Sequence, residues 1–377
     1  MDRKVYVFSD ERKSATASRL RSAPPPRFTT LIASLLPLDW ISNTPFLVVL
    51  LILGISISVL GKAASVLVDH ATILSLIMGI PRLIVGATIV SLGTTLPEAF
   101  VSVLAAFAGE PEIALGNAVG SIICDTGLIL GIGCLLAPLP VDREVVYRQG
   151  LIQFLAPLLL IALCTPWTDL PSVWTDGGVL SQRSGWLLLV LLFVYIVWTI
   201  RAAKAPSIEI DETDEDDSTE SPTGPSIAKH LGLLILAIAL VVLSSEILVA
   251  GATDVAERLN VPEGVIAATL IAFGTSVSEL VIVVTSILKG HGELAIGNVV
   301  GADILNVLFV AGASAAVTPA GLSASPDFYR AQFPTMVAVL VTFRIALAFR
   351  RDDMLPRWTG FLLVGFYALY LGFAFQP

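Results

Sequence analysis

Long apolar runs decide what this chain can fold into. About 20 consecutive apolar residues cross a bilayer as a helix, and in hydrocarbon every backbone N–H and C=O must be paired within the protein. The spacing predicts ten such spans, at roughly 46–68, 78–107, 112–137, 149–167, 185–203, 229–251, 262–288, 293–317, 331–350 and 357–375. Hydrophobic residues make up 55% of the chain and charged ones 14%, which excludes a water-soluble globular fold. The formal charge of −9 says little about partners, because eight carboxylates lie between Glu209 and Glu220. That stretch, followed by Ser221-Pro222-Thr223-Gly224-Pro225, is too charged and Pro-rich to pack and reads as a linker.

The expected organisation is therefore a polar N-terminal tail (1–44), five spans (45–203), an acidic linker (204–227) and five more spans (228–377). The tail lacks the short apolar core and small-residue cleavage site of a signal peptide. Between the two halves one segment is written twice. Gly93-Thr94-Thr95-Leu96-Pro97-Glu98 recurs as Gly274-Thr275-Ser276-Val277-Ser278-Glu279, within motifs covering 85–125 and 266–306. Pro81 maps to Pro262, Thr88 to Thr269, Gly116-Asn117 to Gly297-Asn298 and Gly120 to Gly301, every pair 181 residues apart. A unit of five spans ends on the side opposite its start, so the second unit enters the membrane upside down. The expected fold class is an all-α membrane protein of ten transmembrane helices, arranged as two inverted-topology repeats of five, a hallmark of secondary transporters. Positions 181 apart should then face each other near the bilayer midplane.

Each copy buries a carboxylate where ionisable groups are costly and usually functional. Pro97 has no N–H, so the Gly93 carbonyl loses its helical partner and the helix should break there. Thr94, Thr95 and Glu98 share one helical face, and their oxygens suit hard cations such as Ca²⁺ and Na⁺. The second copy offers Thr275, Ser276 and Glu279, with Ser278 in place of Pro97, so a milder break is expected. Ser121 and Asp125 stand four apart in one copy, and Ala302 and Asn306 in the other. Asp303 lies one position off that face, where a helix contact and a place on the ion pathway both fit.

Several signals have plainer readings. The Gly116/Gly120 and Gly297/Gly301 pairs suit close helix packing. Asn117 and Asn298 fit either a helix-stabilising hydrogen bond or ion ligation, and hydroxyl groups beside the glutamates can bond back to helix carbonyls. Cys124, Cys134 and Cys164 read as small core residues, and His70, His230 and His291 as too scattered for a metal site. Asp125-Thr126-Gly127 matches the aspartic-protease triplet but lies in a membrane helix without a second copy, so no enzyme is expected. Lysines and arginines in the short loops favour a cytoplasmic linker and an outside N-terminus in a cell (inner) membrane, against the basic tail.

The strings GTTLPE (93–98) with GNAVGSIICD (116–125), and GTSVSE (274–279) with GNVVGADILN (297–306), resemble the α-repeats of the cation/Ca²⁺ exchanger superfamily, in its sodium/calcium exchanger branch. The resemblance implies alternating-access antiport, Ca²⁺ leaving the cytoplasm against Na⁺ entry. It implies a Ca²⁺ site of Thr94, Glu98, Thr275 and Glu279. It also implies Na⁺ ligation by Thr95, Ser121 and Ser276 with the carbonyls of Ser91 and Ala272, while Asp125 and Asn306 flank the centre. No cofactor is implied beyond the transported Ca²⁺ and Na⁺, and the partners are those ions and the lipid bilayer, with no nucleic acid. A monomer fits, and the oligomeric state is open. Two departures stand out. Asp125 and Asn306 are exchanged between the copies relative to the prokaryotic pattern, and Ala302 replaces a serine expected to ligate Na⁺. The linker is too short for the Ca²⁺-sensing domains of animal exchangers. The rival reading is a Ca²⁺/H⁺, or other cation/H⁺, antiporter using the same carboxylates.

Overall fold

A computed structural model describes residues 38–141, 143–203, 224–259, 272–349 and 353–374. Most of the N-terminal tail, the acidic stretch 204–223 and the start of the seventh expected span, with Pro262 and Thr269, lie outside the described residues.

The helices are Phe46–Met78 (α1), Arg82–Thr94 (α2), Leu96–Phe107 (α3), Pro111–Leu136 (α4), Arg143–Cys164 (α5), Gln182–Ala203 (α6), Gly224–Arg258 (α7), Val277–Leu288 (α8), Gly292–Ala316 (α9), Phe328–Ala348 (α10) and Trp358–Ala374 (α11). Among the described residues seven are long and apolar enough to cross a membrane, or eight if α2 and α3 form one bent span. The shorter apolar helices are α8, preceded by residues outside the described set, and the stretch Trp358–Gly372 of α11. The chain is thus a multi-pass helical membrane protein. Its lipid side is visible on α1, where Leu47 is 77% exposed and Leu51 63%. At 33 residues α1 is ~50 Å long, more than a ~30 Å hydrocarbon layer needs, so such a helix tilts or extends beyond that layer.

The fold is not helical throughout. Short strands occur at Leu139–Pro140 (β1), Gly178–Leu180 (β2), Leu322–Ala324 (β3) and Met354–Leu355 (β4). β1 pairs antiparallel with β4, and β2 with β3, so each pair ties a loop of the first half to one of the second. The pairing satisfies backbone groups of the loops themselves.

α9 sits at the centre and is almost wholly buried. It packs on α2, α8 and α5, and small residues make the approach possible. A Cβ on Gly301 would meet Ala87 Cα at 2.5 Å, and one on Gly297 would meet the Leu83 carbonyl oxygen at 2.2 Å. These two glycines are packing residues, as expected. The residues matching Leu83 and Ala87 in the second copy, 264 and 268, lie outside the described residues, so the packing role assigned to Gly116 and Gly120 has no counterpart to inspect. α1 and α7 form a second layer, packed along each other. That packing brings two of the three histidines together, with the His70 and His230 Nδ1 atoms 2.9 Å apart, but among the described residues no third His, Cys, Asp or Glu joins them in a group that could hold a metal ion. The three cysteines are buried and free.

Candidate cation site

Both copies of the duplicated motif are interrupted at matching points. α2 and α3 meet at a 43° bend, with Pro97 in the first turn of α3 where its missing N–H costs nothing. The junction residues take nearly the same conformation, φ −80° and ψ −5° at Thr95, φ −91° and ψ 8° at Ser276. At this residue the copy lacking proline is not the milder one. Gly93 and Gly274 also do more than weaken a helix. A Cβ on Gly93 would strike Ile238 Cγ2 at 2.6 Å and one on Gly274 would strike Val249 Cγ1 at 2.8 Å, so both glycines admit α7 against the breaks.

The breaks place Glu98 and Glu279 in the first turns of α3 and α8, each 1% exposed. Carboxylates near helix N-termini face the favourable end of the helix dipole. The two charges act on each other and on Asp125. Thr94 of the first copy lies near Glu279 of the second, and Ser276 of the second lies near Asp125 of the first, so oxygens of both copies gather at one place. Asp125 and Asn306, 181 residues apart, both fall in π-helical stretches, Ile123–Ile129 of α4 and Asn306–Ala311 of α9. Such wide turns are common at functional sites. Asn306 Nδ2 donates to Asp125 Oδ2 at 3.4 Å, a direct contact between positions 181 residues apart.

The unused oxygens carry the chemistry. Thr95 Oγ1, Glu98 Oε2, Asp125 Oδ1, Thr275 Oγ1, Ser276 Oγ and Asn306 Oδ1 are buried without a hydrogen-bond partner among the described residues. Native proteins rarely leave buried polar atoms unpaired, and a cluster of them calls for a ligand. Carboxylate, hydroxyl and amide oxygens are the donor set of a hard cation. No lysine or arginine pairs with Glu98, Glu279 or Asp125 among the described residues.

The other candidate residues divide. Thr94 Oγ1 bonds back to the Ser91 carbonyl at 3.3 Å, which also accepts the Thr95 N–H at 2.8 Å. Ser121 is 5% exposed in α4. Ala272 opens the helical stretch Ala272–Gly274 before the second break. Asn117 is a structural tie: its Nδ2 donates to the Glu98 carbonyl at 3.3 Å and to Ser102 Oγ at 3.0 Å. Asn298, its counterpart, keeps both amide atoms unpaired. Ser278, which stands where the first copy has Pro97, donates from Oγ to Glu279 Oε2 at 2.7 Å. Glu246 of α7, 8% exposed, was missed; its charge acts on Glu98. A carboxylate in the sixth apolar run, after Ser244-Ser245, was the available signal.

A multi-pass bundle enclosing paired carboxylates and unspent oxygens defines a membrane protein with a candidate cation site. The chain belongs to the sodium/calcium exchanger protein family, whose model matches residues 48–201 and 229–376. Relatives include the inner membrane protein YrbG of Escherichia coli, 32% identical over 283 residues, covering 74% of this chain and 82% of that protein. The sodium/calcium exchanger MaX1 of Methanosarcina acetivorans is 28% identical over 300 residues, covering 74% and 84%. Among solved structures, the sodium-calcium exchanger NCX_Mj superposes with a TM-score of 0.72 at 24% identity, over 88% of this chain and all of that one. At that identity the likeness is one of fold. The family is one of cation exchangers.

Proposed function

We propose that this chain is an antiporter that exchanges Na⁺ for Ca²⁺ by alternating access, with the cations held between Glu98 and Glu279 at the bilayer midplane. The reading includes ten spans in two inverted repeats, 45–203 and 228–377, the segment 204–227 on the cytoplasmic side and the N-terminus outside. The observation that carries it is the set of unpartnered oxygens around two facing glutamates. Thr94, Glu98, Thr275 and Glu279 hold Ca²⁺. Thr95, Ser121, Ser276 and the carbonyls of Ser91 and Ala272 serve Na⁺, with Asp125 and Asn306 between them.

The exchange logic follows from charge. Two glutamates can be neutralised by one Ca²⁺ or by several Na⁺, not by both, because excess charge in a low-dielectric site is expensive. Occupancy is mutually exclusive, so gradients of the two ions are coupled through one site. Glu98→Gln keeps the shape and removes one charge, and should abolish Na⁺-gradient-driven ⁴⁵Ca²⁺ uptake into vesicles. Full uptake by that variant would overturn the assignment. The second reading, proton-coupled Ca²⁺ transport, is favoured by one observation: Ala302, fully buried, offers no hydroxyl where Ser121 stands in the first copy. Uptake driven by a pH gradient rather than a Na⁺ gradient distinguishes the two.

A further inference from the structure

Aligning the copies exposes a displaced oxygen ligand. Ser121-Ile122 of the first copy corresponds to Ala302-Asp303 of the second, 181 residues on. The oxygen lost at 302 reappears one residue later, ~100° round the helix. Asp303 therefore leaves the face that looks at Glu98 and Glu279 and meets α4 and α5. There its Oδ2 accepts hydrogen bonds from Thr126 Oγ1 and from Gln153 Nε2, the latter at 2.6 Å, and Gln153 Nε2 also lies 3.3 Å from Thr126 Oγ1. Asp303 is 0% exposed, and its Oδ1 has no hydrogen-bond partner among the described residues.

Two neutral donors on one oxygen orient a carboxylate without neutralising it. An asparagine oxygen could accept the same two hydrogen bonds, so a tie between helices does not by itself require the charge. Among the described residues no lysine or arginine pairs with Asp303, and Asp125 on α4 adds repulsion. A bare carboxylate at a helix centre is costly, so an unoffset one marks function. The nearby groups are oxygen ligands. Thr126 supplies a hydroxyl, and Gln153 presents its carbonyl if the amide turns over, since O and N of an amide are assigned from the network. α6 reaches this layer through Tyr195, whose hydroxyl donates to Gln149 Oε1 at 3.1 Å.

We propose that Asp303, Thr126 and Gln153 form a second, lateral Na⁺ site beside the central one. A single carboxylate matches one monovalent charge, whereas Ca²⁺ there would leave a net positive charge buried. The lateral site shares its walls with the centre: Thr126 follows Asp125, and Asn306, one turn after Asp303, donates to Asp125. Filling one site is thereby felt at the other. This inference rests on the cation-exchange reading above but is tested apart from it.

The test counts bound ions rather than transport. Equilibrium ²²Na⁺ binding to the purified chain in Ca²⁺-free buffer should fall by one Na⁺ per chain in Asp303→Asn, and equally in Thr126→Ala. The loss should appear in the Na⁺ count, while ⁴⁵Ca²⁺ binding is lost in Glu98→Gln instead. An unchanged Na⁺ count in Asp303→Asn overturns the lateral site, including the case in which that variant changes only proton uptake. Asp303→Asn is nearly isosteric, and Thr126→Ala leaves the charge in place, so a folding failure of one leaves the other to decide. Retained ⁴⁵Ca²⁺ binding by Glu98→Gln would fault the central reading and leave the lateral one standing.

Discussion

Ser278 shows how much one side chain can decide. Its hydroxyl donates to Glu279 at 2.7 Å, and hydrogen bonds to charged groups contribute about 1.5–3 kcal/mol. Ser278→Ala should weaken apparent Ca²⁺ affinity about tenfold or more on that scale, read as a raised half-saturating Ca²⁺ in ⁴⁵Ca²⁺ uptake. An unchanged value would mean that Glu279 is positioned without it. His291, outside the spans, gives a pH dependence. Arg82 Nη1 lies 3.4 Å from His291 Nδ1, and arginine cannot accept, so this nitrogen must be the unprotonated one. Burial first, and then the Arg82 charge, push the imidazole below its ordinary 6.5. Because the folded value is the lower one, the unfolded chain takes up the proton first. The stability contribution is complete above about pH 6.5 and declines as pH falls below it. The melting temperature of the wild type should therefore drop more between about pH 7.5 and 5.5 than that of His291→Gln. Equal drops would contradict this.

At the scale of elements, contacts between helices depend on glycines. Gly301→Ala places a methyl 2.5 Å from Ala87 Cα, and overpacking of this kind costs typically ~1–3 kcal/mol. Gly61, exposed on α1, has nothing within 4 Å of an added Cβ, so Gly61→Ala should be neutral or slightly stabilising. Thermal melts of the two variants should separate, and coincident curves would refute the packing of α9 on α2. The buried carboxylates were legible beforehand, because Glu98, Glu279 and Asp125 interrupt apolar runs and no packing detail is needed to notice them. The break at Pro97 was legible for the same reason, since a missing N–H is a covalent fact. What escaped was set by tertiary approach. His70 and His230, 160 residues apart, meet because α1 and α7 lie side by side. Gly93 and Gly274 proved to be places where α7 comes close. Ser278 acts through its side-chain orientation, which spacing alone does not specify.

For the molecule as a whole, the duplicated string gives matching helices, and on the proposed reading its mismatches bear on function. Matching helices α3 and α8 begin and end 181 residues apart, Leu96–Phe107 against Val277–Leu288, and Asp125 touches Asn306 across the same interval. Among the places where the copies differ are Pro97/Ser278, Ser121/Ala302, Ile122/Asp303 and Asp125/Asn306. Each of these mismatches alters an oxygen or a charge, and on the proposed reading they are where ion preference and stoichiometry are tested. The measurement that bears most directly on the account is ⁴⁵Ca²⁺ accumulation by proteoliposomes containing the purified chain and loaded with Na⁺. An outward Na⁺ gradient should drive uptake that stops when an ionophore collapses the gradient. Equal uptake without any Na⁺ gradient would contradict Na⁺/Ca²⁺ exchange.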